Sequence, residues 1–126
     1  MKVEKLDLDS IGIRFKMRPE LIGNFMRGNL HGGVISSVLD VTGGMVAWTG
    51  IMKKMEGRSF EEIAEKFAKI GTIDLRVDYL RPGFGKHFIA TGNTLRTGNK
   101  LSVTRMELHN DEGILIAVGT GSYVFG

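Results

Sequence analysis

A nearly uncharged stretch of 19 residues, 34–52, constrains the fold of this chain more than any other feature. Its length alone would allow a helix to cross a bilayer. However, it contains Asp40 together with two serines, two threonines and three glycines, and no second stretch of this kind follows. These residues favour a buried helix of a soluble protein, and we expect no membrane partner.

The spacing of apolar residues in this stretch predicts one long helix from about Gly32 to Gly50. Bulky apolar residues recur at intervals of three and four, as on one face of an α-helix; they are Val34, Val38, Val41, Met45 and Trp48, and Ile35, Leu39 and Val46 widen this face. The face around Asp40 carries only small residues, which are Gly33, Ser36, Ser37, Gly43, Gly44 and Ala47. A carboxylate with small neighbours can be approached closely by a ligand or by another backbone. It can also simply belong to a helix that packs tightly on a sheet.

The rest of the chain predicts a short helix and several strands. Residues 11–17 alternate between apolar and other residues, which predicts a first strand. Ser59 and Glu62 fit a capping box at the start of a second helix, which ends at Gly71. After Gly71 the period changes to two, and turn residues separate four strands at 72–79 and at about 86–96, 100–109 and 114–124. A long helix beside four strands in a meander predicts an α+β fold, with residues 1–126 as one domain.

The composition limits the chemistry that this chain can perform. It has 126 residues and no cysteine, which excludes a disulfide framework, a thiolate nucleophile and a zinc ribbon. The net charge of +3 suits a phosphorylated small molecule as well as a nucleic acid. Because the basic residues are scattered and the last strands hold few aromatic residues, we expect no nucleic-acid partner. No apolar run follows Met1, so we expect a cytoplasmic location.

Three patterns that can mark ligand sites lack the spacing that such sites need. The glycines at 83 and 85 do not extend to GxGxxG, and residues 98–100 lack the upstream glycine of a phosphate-binding loop. The three histidines do not have metal-ligand spacing, and we expect His87 and His109 to be ordinary strand residues. The sequence therefore predicts neither a cofactor nor a metal.

The motif His31-Gly32-Gly33 opens the long helix. Backbone N–H groups at a helix N-terminus have no partner within the helix, and together with the helix dipole they can stabilise an oxyanion. Two glycines also leave room for a carbonyl to reach these groups. A plain turn before a helix would explain the same residues.

Distance separates this motif from Asp40. Gly32 and Asp40 are eight residues apart, which is about 12 Å along an α-helix. One carbonyl cannot lie about 3 Å from both groups of the same chain. If the two groups share a site, they come from different subunits, and an antiparallel pair of these helices about a two-fold axis predicts a homodimer.

Three segments resemble a known family. Asn-Leu-His-Gly-Gly-Val-Ile-Ser-Ser-Val-Leu-Asp at 29–40 resembles the His-Gly-Gly…Asp signature of hotdog-fold acyl-CoA thioesterases, in the phenylacetate-pathway and YigI-like group. Thr-Ile-Asp-Leu-Arg-Val-Asp-Tyr-Leu-Arg-Pro-Gly at 72–83 is similar to the long strand that follows the helix in that group. Leu-Arg-Thr-Gly-Asn-Lys-Leu at 95–101 is similar to its hairpin. The resemblance covers about residues 10–125.

This resemblance implies a fold, an assembly and an activity. The fold is an antiparallel sheet wrapped around one long helix, and the assembly is a dimer with a continuous sheet, usually paired into a tetramer. The activity is hydrolysis of acyl-CoA to a free acid and CoA, without a cofactor. Gly32 falls on the backbone N–H that polarises the thioester carbonyl, and Asp40 falls on the general base or nucleophile. Thr72 falls where relatives carry a hydroxyl that helps to position water, or it is a simple strand residue.

The chain departs from the family pattern at two places. Family members often have an asparagine six residues before the histidine, whereas Asn24 lies seven residues before His31. Asn24 is the candidate for that position, and Asn29 lies too close to His31 to match. The segment 59–69 adds a short helix before the second strand, where it covers an exposed face of the core or shapes the acyl pocket.

Further residues are candidates for binding the substrate. We expect His31 and Gly33 to line the site beside Gly32. Basic residues in loops and turns are candidates for the CoA phosphates, although each could be an ordinary surface charge; they are Arg81, Lys86, Arg96 and Lys100.

Two other functions remain on the same fold. One is an acyl-CoA-binding protein without activity, against which the presence of Asp40 argues. The other is a dehydratase of acyl carrier proteins, which needs a histidine base facing a carboxylate. His31 has the wrong context for that chemistry because it opens the helix before two glycines.

Overall fold

A computed structural model describes residues 2–6, 10–24 and 27–125, with side chains from 11 to 23 and from 27 to 125. Its strands are β1 (Lys2–Leu6), β2 (Ser10–Lys16), β3 (Ile22–Asn24), β4 (Asn29–Leu30), β5 (Gly71–Tyr79), β6 (His87–Thr97), β7 (Leu101–Asn110) and β8 (Leu115–Val124). Its helices are α1 (Gly32–Lys54) and α2 (Phe60–Ala68), with a short 3₁₀ turn at Pro19–Leu21.

Six strands form one antiparallel sheet in the order β1-β2-β6-β7-β8-β5. The predicted first strand is β2, and the predicted α+β class with one long helix is confirmed. The predicted four-strand meander is correct for β6, β7 and β8 and wrong for β5. That strand pairs with β8 at the edge, because β6 already has β2 on its other side. A small hairpin of β3 and β4 precedes α1.

The helix α1 packs along the concave side of this sheet. It continues one turn beyond the predicted end, and its most buried side chains include Ile35, Leu39 and Val46. By length and hydropathy α1 could cross a membrane, but half of its most apolar 18-residue stretch is buried inside the protein. Ile35, Leu39 and Val46 belong to the predicted apolar face, but Val41, from the same face, is 45% exposed. Small residues such as Gly43 and Ala47 are buried in its place.

The second helix, α2, begins as its capping box predicts. The Ser59 hydroxyl accepts a hydrogen bond from the Glu62 N–H at 3.2 Å. The helix ends at Ala68, so Gly71 does not terminate it and instead begins β5. Its inner face covers the end of α1, where Ile63 packs on a buried cluster formed by Ile51, Met55 and Phe125. This position agrees with a covering role for the inserted helix.

Candidate active site

The N-terminus of α1 is capped by a histidine side chain. His31 Nδ1 accepts a hydrogen bond from the Gly33 N–H at 2.9 Å, and the His31 carbonyl accepts from Val34 and Ile35. The Gly33 N–H is therefore occupied, and it is not the free donor that the sequence suggested. Within the part of the chain that the structure describes, the Gly32 N–H has no hydrogen-bond partner. One backbone donor of the first turn is thus left for a ligand.

A cleft of about 310 Å³ lies beside Gly32. Its walls come from β4, the first turn of α1 and the segment 79–83. The Tyr79 hydroxyl donates to the Gly32 carbonyl at 3.0 Å, and the Arg81 guanidinium donates to the Leu115 carbonyl at 2.7 Å. Asn29 Oδ1 is buried beside this cleft and accepts no hydrogen bond from the described residues. The cleft therefore combines a backbone donor and a cation, with an unpartnered acceptor buried in its wall.

Asp40 lies two turns further along α1 and is held by two hydroxyl groups. Its Oδ1 accepts from Thr72 Oγ1 at 3.0 Å and from the Tyr123 hydroxyl at 3.1 Å. The Tyr123 hydroxyl also lies 3.1 Å from the Asp40 carbonyl. The other carboxylate oxygen, Oδ2, accepts no hydrogen bond from any residue that the structure describes. The carboxylate thus has one anchored oxygen and one open oxygen.

A β-bulge in β5 brings Thr72 to this carboxylate. Thr72 lies opposite Tyr123 in the register with β8, but Asp74 lies opposite Ser122, so Ile73 is the extra residue. Side chains alternate along a strand, and a bulge reverses this alternation. Thr72 therefore shares the inner face with Leu75, while Asp74 points to the outer face. The strict alternation of the sequence from 72 to 79 had placed Thr72 on the polar face.

Tyr123 is the site residue that sequence reasoning missed. It alternates regularly in β8 and resembles any apolar strand residue, so its pattern carries no functional signal. Its ring fits only because two positions lack a side chain: a Cβ at Gly121 would lie 2.7 Å from the ring, and one at Gly43 would collide with the hydroxyl. Part of the small-residue face around Asp40 is thus filled by Tyr123 of the same chain. Burial, followed by the negative charge of Asp40, raises the pKa of Tyr123 far above its usual range, so the hydroxyl keeps its proton.

The two parts of the site remain separate within one chain. α1 is continuous from Gly32 to Lys54, so Gly32 and Asp40 lie about 12 Å apart along its axis. The structure joins Asp40 to Thr72, a contact that the family pattern did not imply, and it does not bring either residue to Gly32. The two groups of one chain therefore cannot contact the same carbonyl.

The four basic candidates do not form one cluster. Arg81 lines the cleft and Lys86 precedes β6, but Arg96 lies near the opposite end of β6 and Lys100 follows that end. Ten residues of an extended strand span about 33 Å. The four residues are therefore too far apart to form one phosphate site within a single chain.

The remaining predicted residues add little to the site. The backbone of Asn24 pairs with Asn29 in the small hairpin, but the Asn24 side chain lies outside the described residues. His87 and His109 lie in β6 and β7, as predicted. In the described ranges, no three His, Asp or Glu side chains gather into a group that could hold a metal ion.

Comparisons with known proteins agree on one family. The thioesterase superfamily model matches residues 27–117, a range that contains Gly32, Asp40 and Thr72 but ends before Tyr123. The chain is 44% identical over 126 residues to the medium/long-chain acyl-CoA thioesterase YigI of Escherichia coli strain K12, covering all of this chain and 81% of that protein.

Solved structures support the same relationship. A Shewanella oneidensis protein related to the thioesterase superfamily superposes with a TM-score of 0.94 at 48% identity, covering 98% of this chain and 81% of that chain. A candidate thioesterase of Syntrophus aciditrophicus has a TM-score of 0.88 at 46% identity, covering 99% of this chain and 82% of that chain.

Proposed function

Because the chain belongs to the thioesterase superfamily, we propose that it hydrolyses acyl-CoA thioesters to a free carboxylic acid and CoA. The observation that carries this proposal is the state of Asp40: two hydroxyl groups anchor Oδ1, and Oδ2 is open among the described residues. An oriented carboxylate of this kind can act on water or on a thioester carbon.

The proposed reaction uses both Gly32 and Asp40. The Gly32 N–H donates to the thioester carbonyl oxygen and stabilises the negative charge that develops there. Asp40 Oδ2 then either takes a proton from the attacking water or attacks the carbonyl carbon itself. If water attacks, its oxygen bonds to the carbonyl carbon, the C–S bond breaks, and the proton taken by Asp40 passes to the departing CoA sulfur, so that the free acid and CoA are released. If Asp40 attacks, the C–S bond breaks as an anhydride forms between Asp40 and the acyl group. Water then hydrolyses this anhydride, which releases the acid, restores the Asp40 carboxylate and supplies the proton of the CoA thiol. Thr72 holds the carboxylate rather than water.

The proposed site is completed by a second copy of the chain. Since Gly32 and Asp40 of one chain are too far apart for one carbonyl, each Asp40 serves the Gly32 of a partner. The edge strand β5 supports this pairing, because it has β8 on one side and, in the described ranges, no strand on the other. Exposed apolar side chains lie along this edge and the neighbouring helix, including Ile73, which is 57% exposed, and Val41. Two β5 strands paired antiparallel would join the sheets and place the α1 helices side by side.

We extend this proposal to the acyl chain length, to the assembly and its location, and to a residue that binds a CoA phosphate. The name of the Escherichia coli relative favours medium to long acyl chains as substrates. The family resemblance favours a dimer of dimers in the cytoplasm. The position of Arg81 in the cleft beside Gly32 favours this residue for a CoA phosphate.

The substitution Asp40→Asn tests the catalytic proposal. Asn has nearly the same shape and still accepts the bonds from Thr72 and Tyr123 through its carbonyl, but it cannot take a proton or attack a carbonyl. We expect kcat on medium- and long-chain acyl-CoA to fall about 10²–10⁴-fold. Binding of a non-hydrolysable acyl-CoA analogue should remain, because the Gly32 N–H is unchanged.

Two results would oppose the proposal. A variant that keeps more than about a tenth of the wild-type kcat would show that Asp40 is not catalytic. A wild-type protein that binds the analogue but hydrolyses no acyl-CoA from short to long chains would be a binding protein instead.

A further inference from the structure

We infer that Tyr123 is a positioning residue for Asp40: its hydroxyl fixes the rotation of the carboxylate so that Oδ2, and not Oδ1, faces the reacting thioester. This inference rests on the proposed catalytic role of Asp40. It adds a residue that lies beyond the range matched by the family model.

The geometry assigns Tyr123 a part that Thr72 cannot play alone. Both hydroxyl groups donate to Asp40 Oδ1, at 3.1 and 3.0 Å. Thr72 is exposed in the edge strand, where water competes for its hydrogen bond. Tyr123 is only 1% exposed, so water does not replace it. The rotation of an aspartate side chain about χ2 is soft, and a single exposed donor leaves the plane of the carboxylate free to turn.

The surroundings of Tyr123 are built to admit the hydroxyl as well as the ring. Gly121 makes room for the ring, and Gly43, on the helix turn that follows Asp40, makes room for the hydroxyl group and for the Met106 side chain. The hydroxyl spans from β8 to α1 and meets both the carboxylate and the carbonyl of Asp40.

In the described structure, no charged side chain takes the place of the Tyr123 hydroxyl beside Asp40. Asp40 is the only charged residue of α1 between Gly32 and Met52, and residues 115–124 of β8 carry none. The bulge turns Asp74 of β5 to the outer face. In β7 the charged residues alternate with the buried side chains that face α1, and in β6 they lie at the two ends. Tyr123 is therefore the titratable group that faces Asp40 from the elements packed around it.

The substitution Tyr123→Phe tests the inference, because it removes the hydroxyl and keeps the ring. A hydrogen bond to a charged group contributes about 1.5–3 kcal/mol, so we expect kcat to fall about 10- to 100-fold. The Kd of a non-hydrolysable acyl-CoA analogue should change little. A fall in kcat at an unchanged analogue Kd separates a positioning role from a loss of binding.

Thr42→Val serves as the matched control. Thr42 is also fully buried on α1, but its hydroxyl donates to the Val38 carbonyl and does not contact Asp40. The loss of this buried hydroxyl can lower the Tm, but it should leave kcat and the analogue Kd unchanged. If Tyr123→Phe behaves like this control, with a lower Tm and a wild-type kcat, the inference is overturned.

A second variant keeps the test informative if Tyr123→Phe does not fold. Gly43→Ala retains the tyrosine and pushes its hydroxyl away from Asp40, so it should lower kcat at an unchanged analogue Kd. A wild-type kcat for this variant would overturn the inference. Asp40→Asn separates the two proposals. If this variant remains active, the catalytic role of Asp40 is rejected. If Asp40→Asn is inactive but Tyr123→Phe is fully active, only the positioning role of Tyr123 is rejected.

Discussion

At the scale of single residues, one peptide group fixes the direction of the proposed oxyanion donor. The peptide between Gly32 and Gly33 is held at both ends, because Tyr79 donates to its carbonyl and His31 Nδ1 accepts from its N–H. This arrangement anchors the first turn of α1 and leaves the preceding N–H, that of Gly32, without a partner among the described residues. A preorganised donor of this kind stabilises negative charge without having to reorient during the reaction.

The substitution Gly32→Pro removes this donor at small cost to the helix. Proline lacks an N–H and is well tolerated at the first position of a helix. His31 already has the extended backbone that a following proline requires, with φ −62° and ψ 136°. We expect kcat to fall about 10²–10³-fold, the loss that follows removal of one oxyanion donor, while the circular dichroism spectrum is retained.

Gly32→Ala is the matched variant for this prediction. It keeps the N–H and adds only a Cβ, which would make ordinary contact with the Tyr79 ring at 3.6 Å. Its loss of kcat should be at least about ten times smaller than that of Gly32→Pro, given the size of the donor effect. Equal losses in the two variants would assign the effect to the added carbon and not to the N–H.

At the scale of elements, the sequence predicted the helices, because their starts and apolar faces depend on residues close together in the chain. The apolar period and the His-Gly-Gly start predicted α1, and the Ser59 capping box predicted α2. The position of β5 depends instead on pairing between distant strands, for which the sequence carries no local signal. The bulge at Ile73 leaves the alternation of residues in the sequence unbroken, and Tyr123 alternates in β8 like an ordinary strand residue. The contacts of Thr72 and Tyr123 with Asp40 are therefore evident only in the folded chain.

The two ends of β6 give a test of where the CoA phosphates bind. Arg81 lies in the cleft beside Gly32, whereas Arg96 lies at the far end of β6. Since an exposed charge pair contributes about 0.2–1 kcal/mol, Arg81→Ala should raise KM for acyl-CoA about two- to fivefold. Arg96→Ala should leave this KM unchanged. Both effects are measured by steady-state kinetics at low and high salt.

A truncated substrate provides the control for this prediction. An acyl-pantetheine thioester lacks the nucleotide phosphates, so Arg81→Ala should not change its KM. An equal rise in KM for both substrates would mean that Arg81 shapes the cleft and does not bind the nucleotide.

At the scale of the whole molecule, the account depends on two chains completing one site. A continuous α1 keeps Gly32 and Asp40 of the same chain about 12 Å apart. The edge strand β5, which pairs only with β8 among the described strands, carries Thr72 at the border where a partner sheet would join. A two-fold axis along this edge would repeat each contact and create two equal sites per dimer. In this account β5 therefore has two roles: it holds Asp40 through Thr72, and it forms the edge at which the two chains pair.

Complementation between two inactive variants tests this claim most directly. Asp40→Asn keeps Gly32, and Gly32→Pro keeps Asp40, so each variant alone lacks one half of every site. When the two chains are co-refolded in equal amounts, half of the dimers should be mixed, and each mixed dimer should hold one complete site. Acyl-CoA hydrolysis by the mixture should therefore recover to about a quarter of the wild-type rate, on the symmetry of a two-fold dimer. Activity no higher than the mean of the two separate variants would contradict the shared site.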